Sequence, residues 1–244
     1  MRATTSVSRS RSHGLSQENK KKYSNWTADQ KESRLQKVRQ MILSESPGVM
    51  LDVGCSSAQF SSGFVSLGWV VHGVDMSEKQ VDEAEKLCVN ARVHDVARGL
   101  PFEPEFFDLI FAGEIIEHLI DTDYFLAEVN RVLKKKGVLV LTTPNLASFE
   151  NRLRLLRGKQ PIWLDHKQGL SGHVRAYTYK TLRRHLEEHG FAVESFTGNF
   201  VSFASQPFVS RFYLNDLNVP WLRITGGVFP GLSCNIIPKT RKLH

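Results

Sequence analysis

Short apolar runs, each ending in a carboxylate or a small-residue loop, alternate with amphipathic stretches along most of this chain. Val49-Met50-Leu51-Asp52-Val53 runs into Gly54-Cys55-Ser56-Ser57-Ala58, and Val71-His72-Gly73-Val74 ends at Asp75. Such runs predict strands over 49–53, 70–74, 91–94, 107–112 and 137–142. Helices are expected over 58–67, 78–88 and 122–134, where Phe125, Val129 and Val132 fall at i, i+4 and i+7. Leu35, Val38, Met41 and Ile42 form one stripe of a further helix over 26–44. It is expected to pack beside the first strand and to cover the crevice there. Thr178 is the expected N-cap of a helix reaching 188, and Gly190 ends it. Strands over 191–197 and 233–238 complete the series. Strands and helices alternating through short connections specify an α/β fold, a doubly wound and mostly parallel sheet.

The first loop says which ligand suits the crevice. Strand, small-residue loop, helix, strand, acid is the layout of a nucleoside site at the carboxyl ends of parallel strands. A dinucleotide site needs G-x-G-x-x-G, because its pyrophosphate lies against glycine backbone. In the register starting at Gly54, Ser56 and Gln59 occupy the next two glycine positions, so the nicotinamide reading fails. S-adenosylmethionine carries no phosphate and tolerates other small residues. Its free ammonium group suits Asp52 at the loop entrance.

With these residues in order, the chain resembles the class I S-adenosylmethionine-dependent methyltransferases, whose loop reads acid-x-Gly-x-Gly-x-Gly. Asp52 and Gly54 match, while Ser56 and Ala58 stand at the two later glycines. The resemblance runs from about Val49 to the end of the chain. Ala91-Arg92-Val93-His94-Asp95-Val96 matches the third strand, and Phe107-Asp108-Leu109-Ile110-Phe111-Ala112 the fourth. The segment from Arg131 to Leu141 matches the helix, turn and fifth strand. The resemblance implies a seven-stranded Rossmann-like sheet closed by a pair with one antiparallel strand. It also implies S-adenosylmethionine as cofactor, held by Asp52, Gly54, Ser56, Ala58, Asp75, Asp95 and Val96. Asp75 would take the ribose hydroxyls and Asp95 the adenine amino group.

Glu114-Ile115-Ile116-Glu117-His118 follows the fourth strand, beside the expected position of the sulfonium. This E-x-x-E-H resembles the corresponding segment of the ubiquinone-biosynthesis O-methyltransferases and of the small-RNA 3′-terminal 2′-O-methyltransferases. The resemblance implies a divalent cation, Mg²⁺, Mn²⁺ or Zn²⁺, on Glu114, Glu117 and His118. Such a cation would lower the pKa of an acceptor hydroxyl. Without a metal, His118 would serve as base or as a hydrogen-bonding residue at a helix start. His173, near Arg175, either completes the metal site, acts as base or anchors a lid. His118, Glu114 and His173 are thus the catalytic candidates. His72 and His94 read as packing or cofactor-rim residues.

Two long segments interrupt the alternation, 146–176 and 199–231, and both read as acceptor lids within one methyltransferase domain over 26–244. The second carries Phe200, Phe203, Phe208, Phe212, Tyr213, Trp221 and Phe229, either an acceptor lining or an extension of the core. The first carries Arg152, Arg154, Arg157 and Lys159, either an anion-facing set or a solvated helix face.

The chain's 244 residues carry a net charge of +7, and residues 1–40 hold ten Lys/Arg against three acids. The body beyond is therefore neutral, which argues against nucleic acid as partner. Residues 1–25 read as a disordered basic tail. No apolar run approaches the roughly 20 residues of a membrane span. Peripheral membrane contact through the aromatic insertion stays open, as does the oligomeric state. Cys55, Cys88 and Cys234 are widely separated, which suggests reduced thiols and a cytoplasmic setting. The expected activity is O-methylation of a small organic or glycan-linked acceptor. The alternatives are RNA 2′-O-ribose methylation and a catalytically inactive partner protein that kept the fold.

Overall fold

The computed structural model describes residues 33–87, 89–164, 172–202 and 220–244. The expected basic tail, Cys88 and the aromatic positions Phe203, Phe208, Phe212 and Tyr213 lie outside the described residues. Seven strands form one sheet: β1 (Val49–Val53), β2 (Val70–Asp75), β3 (Asn90–Val93), β4 (Phe107–Gly113), β5 (Leu133–Pro144), β6 (Phe191–Gly198) and β7 (Asn235–Lys242). Their order is β3-β2-β1-β4-β5-β7-β6. The first five are parallel, and β7 runs antiparallel to both β5 and β6.

The central strands are buried on both faces, which is why they read as continuous apolar runs. Successive side chains still go to opposite faces. Leu51, Val53, Ile110 and Leu139 join one core, with Phe125, Val129 and Val132 of a helix over Thr122–Val132. Met50, Leu109, Phe111 and Val138 join the other, with Val38 and Ile42 of a helix over Ser33–Leu43. In chain order the α-helices are α1 (Ser33–Leu43), α2 (Glu78–Lys86), α3 (Thr122–Val132), α4 (Phe149–Leu156), α5 (Tyr179–Glu188) and α6 (Pro220–Val228). Among the described residues no helix is long and apolar enough to cross a membrane.

Three expectations change. The helix over 58–67 is a 3-10 turn over Ser61–Leu67, since Ser61, Ser62 and Gly63 are poor helix formers, and it stops at left-handed Gly68. Strand β5 begins at Leu133, because Leu133 pairs with Phe107 before the register shifts. Helix α1 packs mainly across β5 and β7 rather than beside β1, and its buried Val38 and Ile42 share a core with Val138, Val140 and Ile237. The α5 cap is as expected, with Thr178 and Thr181 exchanging side chain and backbone bonds in a capping box.

Candidate active site

The order reverses between β2-β1 and β4, so a crevice opens at the carboxyl ends of β1 and β4. The Asp52–Ala58 loop forms one wall. Gly54 and Cys55 donate their N–H groups to the Val74 carbonyl at 2.8 and 3.0 Å, tying the loop to the end of β2. Gly54 has φ +71°, and a Cβ there would come within 2.2 Å of Ile115 Cδ1. Glycine is thus needed both for conformation and for contact with the opposite wall. Ser56 and Ala58, at the other two glycine positions of the pattern, also lie in the left-handed region at φ +48° and +53°. The loop keeps the glycine backbone with non-glycine residues in it.

Asp52 is buried at the loop entrance, and burial pushes its carboxyl up to about 7. The nearby Ser61 hydroxyl pulls the other way, and the Asp75 charge adds to the rise. At the end of β2, Asp75 accepts the Ser56 N–H on Oδ2 and the Ser77 N–H on Oδ1, each at 2.9 Å. One acid therefore holds the loop and the start of α2 in register. Asp95 accepts the Ala97 N–H at 3.0 Å and caps the 3-10 turn in which Val96 is buried. Cys55 is buried against Gly73, where a Cβ would come within 2.6 Å of its Sγ. Burial and the two nearby carboxylates push this thiol up to about 12, so it stays protonated.

The opposite wall is the Glu114–His118 segment, ending in a 3-10 turn over Ile116–His118. Glu117 is 1% exposed. Its Oε2 accepts the Thr143 hydroxyl at 2.9 Å, and its Oε1 is buried without a hydrogen-bond partner among the described residues. Burial first, and then the Glu114 charge, hold its carboxyl well above the usual carboxylate range. The Glu117 backbone carbonyl accepts from Val174 N and Arg175 N at 2.8 and 3.0 Å. That clamp brings His173 against His118, with ring centroids 4.7 Å apart. Arg175 donates from its guanidinium to the Ile120 carbonyl and so anchors the same segment.

Hydrogen-bond partners fix the tautomers of both imidazoles. His118 Nδ1 lies 3.2 Å from the Gly172 carbonyl and His173 Nδ1 lies 3.1 Å from the Trp163 carbonyl. A carbonyl only accepts, so each Nδ1 carries the hydrogen and each neutral ring keeps its lone pair on Nε2. Glu117, His118 and His173 each offer a ligand atom, and these atoms lie within 4.8 Å of one another.

Glu114 corrects the expected ligand set. Its carboxylate accepts from Thr142 Oγ1 at 2.8 Å and Asn235 Nδ2 at 3.0 Å, with Arg34 Nη1 3.8 Å away. Arg34 also donates to Thr142 Oγ1 at 3.0 Å. Of the E-x-x-E-H residues, Glu117 and His118 thus group with His173, and Glu114 stands outside that group. Arg34, Thr142, Thr143 and Asn235 were not found from the sequence. The two threonines alone had a signal, as small polar residues at the carboxyl end of a strand.

His72 is a packing residue, ringed by Phe102, Phe106 and Phe107 at 5.5 to 5.9 Å. His94 holds the Gly99 carbonyl at 3.0 Å. In the first insertion, Arg152 and Arg154 bond the backbone of their own segment, at Ala147 and Gln160. Phe200 of the second insertion is half-buried and Phe229 is exposed.

Residues 51–141, spanning both walls of the crevice, match the family model described as a methyltransferase domain. Over these residues the chain is similar to methyltransferase domains. A ubiquinone biosynthesis O-methyltransferase of Pelagibacter ubique is 32% identical over 102 residues, 39% of this chain and 42% of that protein. The one of Nitrobacter winogradskyi is 28% identical over 185 residues, 73% of this chain and 69% of that protein. A solved SAM dependent methyltransferase from Archaeoglobus fulgidus superposes with a TM-score of 0.59 at 18% identity, covering 87% and 94% of the two chains. The fold is thus shared well beyond the matched segment.

Proposed function

We propose that the domain transfers a methyl group to a hydroxyl oxygen of a small organic or glycan-linked acceptor, with help from a divalent cation, in the cytoplasm. The observation that carries this reading is the meeting of Glu117, His118 and His173 across the crevice from the Gly54 loop. The names of the ubiquinone biosynthesis relatives support the choice of oxygen.

The crevice residues fit the cofactor, since glycine-type backbone at positions 54, 56 and 58 leaves room for a nucleoside and Asp52 suits an ammonium. S-adenosylmethionine, when bound, supplies a sulfonium methyl group for in-line displacement. Gly54, Ser56 and Ala58 give it close backbone approach, and Asp52, once ionised, holds its ammonium. Asp75 keeps the loop at the right height through the Ser56 N–H. The displacement destroys charge and so is favoured by desolvation, and buried Ile116 with half-buried Ile115 makes the wall from Ile115 to His118 partly apolar.

The three-residue cluster fits a cation as well. Glu117 Oε1 is buried and lacks a hydrogen-bond partner among the described residues, and a mixed O and N donor set suits Mg²⁺, Mn²⁺ or Zn²⁺. A divalent cation there would supply Lewis acidity to the acceptor hydroxyl. Thr143 orients Glu117, while the Gly172 and Trp163 carbonyls orient the two imidazoles, the usual outer support of ligating histidines.

Calorimetric titration with S-adenosylmethionine, followed by catechols and diols with EDTA or with added Mg²⁺, Mn²⁺ or Zn²⁺, tests the reading. Cofactor binding with metal-dependent acceptor heat and methyl transfer is the expected result. Turnover indifferent to EDTA would leave His118 or His173 as the base, and absent cofactor binding would overturn the enzyme reading.

A further inference from the structure

A second cluster of ligand-type side chains lies outside the crevice, where helix α3 starts and helix α5 ends. Asp123 is in the first turn of α3, and His185 and His189 are one turn apart at the end of α5. His185 Nε2 is 3.2 Å from Asp123 Oδ1, and His189 Nε2 is 3.3 Å from the same oxygen. The two rings are nearly perpendicular, with centroids 4.8 Å apart.

We propose that Asp123, His185 and His189 form a second metal site, for a borderline transition ion of the Zn²⁺ type. Three physical arguments carry it. The first is distance. Ligands about 2.0–2.1 Å from a tetrahedral ion stand ~3.3–3.4 Å from one another. The two observed nitrogen–oxygen separations are close to that edge length, and all three ligand atoms lie within 4.8 Å of one another.

The second is tautomer. His189 Nδ1 lies 2.8 Å from the His185 carbonyl, which can only accept. Its hydrogen is therefore on Nδ1, and the neutral ring turns the Nε2 lone pair toward a carboxylate oxygen. Two acceptors facing each other call for a cation between them or a proton on the ring. His185 Nδ1 meets the Tyr177 hydroxyl at 3.2 Å, and this contact orients the second ring from behind.

The third is placement. Both imidazoles sit at the carboxyl end of α5, where the helix dipole favours a positive charge. Their side chains are 15% and 17% exposed while Asp123 is 76% exposed. The nitrogens are thus held by their surroundings and the ion enters past the carboxylate, with solvent completing the shell. Two imidazoles and one carboxylate select Zn²⁺ over Mg²⁺, which prefers oxygen ligands in an octahedron. An ion here would staple α3, which follows the Glu114–His118 wall, to α5, which follows the segment carrying His173.

The untagged full-length chain carrying His118→Gln and His173→Gln, stripped with EDTA, isolates this site from the one in the crevice. Titration with Co²⁺ should give the visible band of a tetrahedral ion, displaced by Zn²⁺ and unaffected by Mg²⁺, together with a rise in Tm on adding Zn²⁺. Adding His185→Gln and His189→Gln should abolish the band. Asp123→Asn, a change at an exposed position that leaves the fold in place, should weaken binding on the order of tenfold or more. No band in the first background, or a band that survives loss of both His185 and His189, would overturn the proposal. Should the histidine variants not fold, Asp123→Asn decides alone, and unchanged Co²⁺ affinity in it overturns the site.

Discussion

The imidazoles of His118 and His173 meet edge to face at 4.7 Å, each bonded through Nδ1 to a backbone carbonyl. The contact depends on the Glu117 carbonyl, which receives two N–H groups from the segment that carries His173. Replacing either histidine with glutamine keeps size and polarity but removes the Nε2 lone pair. Each variant should lose roughly 10²- to 10⁴-fold in kcat. Kd for S-adenosylmethionine should change little, because the cofactor loop is on the other wall. A loss of cofactor affinity as large as the loss of kcat would remove both residues from the acceptor side.

On the proposed function, Asp52 links cofactor binding to pH. Its carboxyl, raised to about 7 by burial, is mostly protonated in weakly acidic solution. The ammonium of the cofactor favours the ionised form, so binding must release a proton while the pH is below that value. Affinity should therefore rise with pH, roughly tenfold between about pH 5.5 and pH 7, and then level off. Calorimetry in buffers of different ionisation enthalpy would show the released proton. Flat affinity over this range would mean that Asp52 does not face the ammonium.

Ser56 and Ala58 hold left-handed backbone at φ +48° and +53°. That conformation costs an L-residue about 1–2 kcal/mol, offset in part by the greater unfolded-state entropy of glycine. Ser56→Gly and Ala58→Gly should each leave stability unchanged or raise it by up to about 1 kcal/mol. Thermal unfolding measures this. Gly54→Ala should do the opposite, since its Cβ would meet Ile115 Cδ1 at 2.2 Å. Destabilisation by both serine and alanine replacements would show that the side chains, and not the backbone, set the loop.

Glu117 is buried with its carboxyl held above the usual range. Its protonated form is favoured by folding, so the stability it permits is complete in acid and falls as pH rises through its folded value. Glu117→Gln should remove that fall, giving a higher Tm than the parent in mildly alkaline buffer and an equal one in acid. Arg34→Ala should act in reverse, because the guanidinium favours the ionised carboxylate. Its loss should move the acid limb of the activity profile to higher pH. Identical Tm–pH curves for parent and Glu117→Gln would rule out this electrostatic penalty.

Local pattern determined much of this protein. Apolar runs fixed β1 at Val49–Val53, and the Thr178 cap fixed the start of α5, because hydrophobic period and capping act over a few residues. The small-residue loop after Asp52 and the match over residues 51–141 follow from the same short-range order. Spacing could not assign the carboxylates of E-x-x-E-H. Which one faces the histidines depends on Thr142 and Asn235 holding Glu114, and on Arg34 arriving from a helix that crosses β5 and β7. His173 reached the site through a backbone clamp on Glu117, and Asp123 met His185 and His189 by the packing of two helices. Such meetings are set by how the sheet orders its strands and how helices pack on it, and no local period encodes them.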